Sequence, residues 1–101
     1  MQANLKTDRE TAVIQLAGRF DFAARREFGR CCEEVLAAAH VRSIEIDLKD
    51  VAYLDSSALG MLLVLKERAD ARELSLCLSN CAGLVKEILD VARFDSVFAI
   101  R

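Results

Sequence analysis

Proline is absent from the 101 residues, and neither a low-complexity stretch nor an internal repeat breaks them up. Nothing in the chain therefore reads as a linker, and its length suits one core rather than two, so residues 1–101 are expected to form a single domain. Histidine occurs once, at His40, and no Cys-x-x-Cys spacing accompanies it, which removes the usual ligand sets for a structural or catalytic metal. There is also no Gly-x-Ser-x-Gly elbow and no paired-glycine phosphate cradle, so a serine nucleophile would lack its base and oxyanion hole. An enzyme is not expected, and no cofactor is implied.

Basic excess is missing as well. The formal net charge of -2 and the scattered Lys and Arg residues give no field for a phosphate backbone, which argues against nucleic acid as a partner. No apolar run approaches the ~20 residues that span a bilayer, since Met61 to Leu65 is ended by Lys66-Glu67-Arg68. The polar start Met1 to Asp8 has no apolar signal core, so a cytoplasmic protein without membrane insertion is expected. The four cysteines, Cys31, Cys32, Cys77 and Cys81, read as buried thiols, because the 53% hydrophobic content already supports a core without disulfides.

What is present is an alternation of strand-like and helix-like patterns. Asn4 to Asp8 is a weak edge-strand candidate, Arg9-Glu10 a turn, and Thr11 to Ala17 a more central strand that Gly18 is expected to break. Asp21 is placed to cap a helix running from Phe22 to about Ala39, whose apolar positions Ala24, Phe28, Cys31, Val35 and Ala38 recur at helical spacing. His40 falls at its C-terminal end as a surface residue. Ser43 to Leu48 alternates cleanly, with Ile44, Ile46 and Leu48 on one face, and Lys49-Asp50 is expected to turn the chain.

Beyond Ser57 the segment Ala58 to Leu65 is apolar on almost every side, which predicts the most buried helix of the set. Glu73 to Leu78 alternates again. Ser79-Asn80 is expected to cap a third helix striped by Leu84, Val85, Ile88, Leu89 and Ala92, and Phe94, Val97, Phe98 and Ile100 form an apolar tail fit for a last strand. Alternating strands and helices predict an α/β domain with one mixed sheet.

Between the third strand and the second helix lies Val51-Ala52-Tyr53-Leu54-Asp55-Ser56-Ser57-Ala58-Leu59-Gly60, a carboxylate followed directly by two hydroxyls. Asp and Ser are strong helix caps, so the triplet first reads as a helix start. Together with Leu16-Ala17-Gly18-Arg19-Phe20-Asp21, Ile46-Asp47-Leu48 and Asp90-Val91-Ala92-Arg93-Phe94, however, the stretch resembles the STAS domains of the anti-sigma factor antagonist type, in the same order and over essentially the whole chain.

The resemblance implies a mixed sheet of four or five strands with helices mainly on one face. It also implies partner switching: Ser56 is phosphorylated by an anti-sigma factor that is a GHKL-type serine kinase, the unphosphorylated form binds that kinase and frees the sigma factor, and a PP2C-type phosphatase restores it. By position Asp21 is similar to an acidic residue beside the phosphorylated serine, and the implied partner surface comprises Asp21, Asp55, Ser56, Ser57, Ala58 and Leu59, with Ser57 capping or supporting the loop. The family usually has Gly where this chain has Ala58. The same resemblance admits an alternative, a constitutive STAS subunit of a lipid-transport ATPase or a stressosome-like assembly.

Overall fold

A computed structural model describes residues 1–101. Its strands are β1 (Gln2–Asp8), β2 (Thr11–Phe20), β3 (Ser43–Leu54), β4 (Ser75–Ser79) and β5 (Ala99–Ile100), and its helices α1 (Arg25–Ala37), α2 (Ser56–Ala71) and α3 (Gly83–Val91). Short 3-10 turns at Phe22–Ala24 and Phe94–Ser96 precede α1 and follow α3. The five strands form one sheet in the order β1-β2-β3-β4-β5, antiparallel between β1 and β2 and parallel elsewhere.

The period of two fixes the faces of this sheet. Ala12, Ile14 and Leu16 of β2, Ile44, Ile46 and Leu48 of β3, and Leu76 and Leu78 of β4 are buried against the helices, whereas Val13, Gln15, Glu45, Asp47 and Cys77 between them keep partial exposure. All helices therefore cover one face. On the other, Ser79 donates to Glu45 Oε2 at 2.7 Å and Asn80 donates to Asp47 Oδ1 at 2.8 Å. These bonds correct the expected cap: Ser79 ends β4, Asn80 sits at φ +56, and α3 starts after Ala82 with no side-chain cap.

Three strands are longer than their patterns predict, β1 by starting at Gln2 instead of Asn4. β2 runs through Gly18, which takes φ +103, a left-handed value that disfavours any side chain, and continues to Phe20. β3 passes Lys49-Asp50 without turning and ends at Leu54. Its register against β2 slips twice, Gln15 and Ala17 facing Asp47 and Asp50, then Gly18 and Arg19 facing Val51 and Tyr53. Each slip inserts one extra β3 residue, a bulge that resets which side chains point inward. Buried positions accordingly fall at Leu48, Val51 and Leu54, three apart instead of two.

The second helix is also corrected. Ala58, Leu62, Leu65 and Ala69 are buried, an ordinary single stripe, while Leu63 and Val64 face solvent; the shorter α1 buries Phe28, Cys31, Cys32, Val35 and Leu36. The expectation of α2 as the most buried helix fails because α1 and α3 flank it without covering its outer side. Of the apolar tail only Ala99–Ile100 forms β5. Phe94 lies in the preceding 3-10 turn, buried and stacked on the buried Phe98 at 5.2 Å, and Val97 caps that turn and is exposed. Cys31 and Cys32 are buried, Cys77 and Cys81 half-buried, and all four thiols are free. Burial pushes the Cys32 thiol up to about 12, so it stays neutral and behaves as a small apolar side chain.

Candidate functional site at the start of the second helix

Parallel neighbours β2 and β3 finish side by side, and each is followed by an aspartate in extended conformation that caps a helical turn. Asp21 Oδ1 accepts from the Ala23 N–H at 3.1 Å, and Asp55 Oδ1 accepts from the Ala58 N–H at 2.9 Å. The two caps are tied together, because the Asp55 N–H donates to the Phe20 carbonyl at 3.2 Å. Asp21 and Ser56 each lie one residue beyond that bond, so the loop geometry holds them on adjoining chains.

Asp55 is held three ways, since its own carbonyl also accepts from the Leu59 N–H at 3.1 Å. Ser56, by contrast, is exposed at the first position of α2, and its hydroxyl takes part in no hydrogen bond within the chain. Ser57 is half-buried and likewise unbonded; the support expected of it comes from Asp55. Ala58 is fully buried, so only its backbone N–H serves the site, and Leu59 is half-buried toward α3. With Ala in place of Gly the first turn of α2 gains helix propensity at a position whose side chain is packed inward.

Pattern reading passed over the residues around this core. The Arg19 guanidinium lies over the Tyr53 ring at 4.7 Å and approaches Asp21 at 3.8 Å. Phe22 is 57% exposed, and the Arg25 guanidinium covers it at 4.1 Å while donating to the Phe22 carbonyl at 3.2 Å. One signal was available: Phe22 is an aromatic residue off the Ala24, Phe28, Cys31 stripe, so the helix pattern alone places it outside the core. Two aspartate caps and an exposed, unbonded hydroxyl thus share the end of the parallel strands, with Arg19 beside Asp21 and Arg25 on Phe22. No group of His, Cys, Asp and Glu side chains is arranged to hold a metal ion.

Capping by Asp55 gives a direct prediction. Asp55→Ala should cost about 1 kcal/mol, the usual loss for an N-cap, whereas Asp55→Asn should retain most of that stability. Urea unfolding of the three proteins checks this, and equal midpoints would remove the cap from the account.

A single mixed sheet covered on one face by three helices, with a capped hydroxyl pair at the start of the second, defines a small α/β module built to present the ends of its parallel strands. A sequence-family model described as "Mlab, STAS domain" matches residues 3–100. The chain belongs to the STAS domain family. It is similar to the STAS-domain containing protein PA14_20770 of Pseudomonas aeruginosa (strain UCBPP-PA14), with 41% identity over 93 residues, 92% of this chain and 90% of that one. Among solved structures it resembles an anti-sigma factor antagonist from Mycobacterium paratuberculosis (TM-score 0.88, 17% identity, 98% of this chain and 83% of that one). It also resembles the anti-sigma factor antagonist SpoIIAA in its unphosphorylated form (TM-score 0.77, 22% identity, 98% and 86%). SpoIIAA of Bacillus is known in a phosphorylated form too, matched with TM-score 0.74, 20% identity and coverage of 98% and 90%. At these identities the solved structures establish the fold. No helix of the chain is long and apolar enough to cross a membrane.

Proposed function

We propose that this protein is an anti-sigma factor antagonist whose hold on its partner is switched by phosphorylation of Ser56. The partner is an anti-sigma factor with GHKL-type serine kinase activity; the unphosphorylated form occupies it and releases the sigma factor, and a PP2C-type phosphatase reverses the modification. The carrying observation is the division of labour at the start of α2: Asp55 does the capping, which leaves the adjacent Ser56 hydroxyl exposed and unbonded. A phosphoryl group there adds about -1.5 to -2 charges. The helix N-terminus favours that anion by roughly 0.3 to 1 kcal/mol while the nearby carboxylates of Asp55 and Asp21 oppose it, so the fold survives and the change falls on the partner surface. Likeness to SpoIIAA, a protein seen with and without phosphate, supports the reading.

Incubation with ATP and its cognate serine kinase should add one phosphoryl group, mapped to Ser56 by mass spectrometry, and Ser56→Ala should abolish it. Modification that persists in the variant would overturn the assignment.

The match to a family model that carries the Mlab description favours a second reading. In it the domain is a constitutive subunit of an assembly such as a lipid-transport ATPase or a stressosome-like complex, bound through the same end of α2. The two readings part on Ser56→Asp, which releases the partner in the first and leaves it bound in the second.

A further inference from the structure

Between α1 and α2 runs an open groove of ≈510 Å3 whose floor and walls include Phe22, Gly29, Gly60, Met61 and Val64. Its two glycines stand inside helices, where glycine costs roughly 1 kcal/mol relative to alanine. Neither takes a positive φ, and a Cβ built on either would meet nothing within 4 Å. The fold thus gains nothing from these glycines. What they provide is a bare strip along facing helices, beside Val64 at 56% exposure and Phe22 at 57%.

One end of the strip is charged in a particular way. α1 and α2 both begin where the parallel strands end, so Arg25 and Ser57 line the groove at the same mouth, next to Ser56. Arg25 stacks on Phe22 and has no carboxylate partner, nor does Arg26. The far end is already neutralised by the ion pair of Arg68 with Glu33, whose carboxyl that guanidinium holds below its ordinary range. From Ser57 to Arg68 the groove follows about 16 Å of helix, or three turns.

We infer that this groove seats an amphipathic helix of the partner, about three turns long, with apolar residues on the glycine strip and a carboxylate against Arg25. The inference rests on the reading of the Ser56 end as a partner surface, and it joins the two: a phosphate on Ser56 competes for Arg25 and repels the carboxylate of the seated helix. The open walls suit a helix rather than a single acyl chain, which needs enclosure on all sides to leave water.

The probe is a synthetic helical peptide of that length with leucines at i, i+3, i+4 and i+7 and a glutamate at the end that meets Arg25, titrated into isotopically labelled protein. Amide shifts should cluster at Phe22, Gly29, Gly60 and Val64. Gly60→Leu and Val64→Lys should each weaken binding at least about tenfold, as expected for blocking the centre of an apolar contact, with thermal unfolding used to confirm that both fold. Arg25→Glu should weaken it about fivefold, and a peptide with lysine for glutamate should recover that loss. Absence of binding, shifts centred on Leu59, Leu84 and Val91 instead, or groove shifts with dodecanoate but none with the peptide would overturn the inference. Loss of peptide binding with Ser56 phosphorylation intact overturns the groove and leaves the switch; binding retained with no phosphorylation at Ser56 supports the groove and overturns the switch.

Discussion

Replacing Phe20 by alanine should cost about 3 to 5 kcal/mol and lower the thermal midpoint by at least about 12 °C, the largest effect expected of any single truncation near the site. The ring is fully buried, packs against Phe28 with centroids 4.9 Å apart, and ends the strand whose carbonyl receives the Asp55 N–H. Its removal leaves a cavity directly beneath the junction of β2 and β3. A domain of this size holds some 5 to 15 kcal/mol in all, so the variant will be partly unfolded at modest temperature. Phe22→Ala provides the comparison, because its ring is 57% exposed and the change should stay within about 0.5 kcal/mol. Calorimetric unfolding of both variants checks the pair. A loss below about 1 kcal/mol for Phe20→Ala would mean that the junction is not anchored as described.

The second large effect concerns affinity. Ser56→Asp should weaken binding of the kinase partner about 100-fold, since a carboxylate forced into an interface shaped for a neutral hydroxyl costs a few kcal/mol unless something pairs with it. Ser56→Asn, polar and uncharged, should stay within about threefold of the parent protein, because no buried charge is created. Unfolding free energies of all three should agree within about 0.5 kcal/mol, as Ser56 is exposed and makes no internal bond. Isothermal titration against the partner separates charge from size. Equal affinity for the aspartate variant and the parent would favour the constitutive assembly.

Much of this architecture was legible because the patterns are local. Ile44, Ile46 and Leu48 alternate as a half-covered strand must, and Asp55 stands where a helix cap must stand. The parts that were not legible have physical reasons. Two bulges in β3 shift the buried positions to Leu48, Val51 and Leu54, and a period of three inside a strand cannot be told from a turn until its partner strand is known. The outer side of α2 looked like core because Leu63 and Val64 are as apolar as Leu62 and Leu65; only the placing of α1 and α3 decides which pair is covered. Ser79 and Asn80 have the chemistry of caps, yet Glu45 and Asp47 on the neighbouring strand claimed them first. At the site itself, the aspartate and the serines could be read in line, whereas Arg19, Phe22, Arg25 and Tyr53 reach it only through pairing of β2 with β3.

The strand order carries a consequence for how the molecule forms. Each strand lies beside the one made just before it, so spatial order and chain order coincide from β1 to β5. A nascent chain can therefore lengthen its sheet at one edge only, and no strand has to be threaded between two that are already paired. For a largely parallel sheet this keeps contact order low, shortens the time that bare edges stay open to other chains, and lets folding follow synthesis from the first hairpin onward.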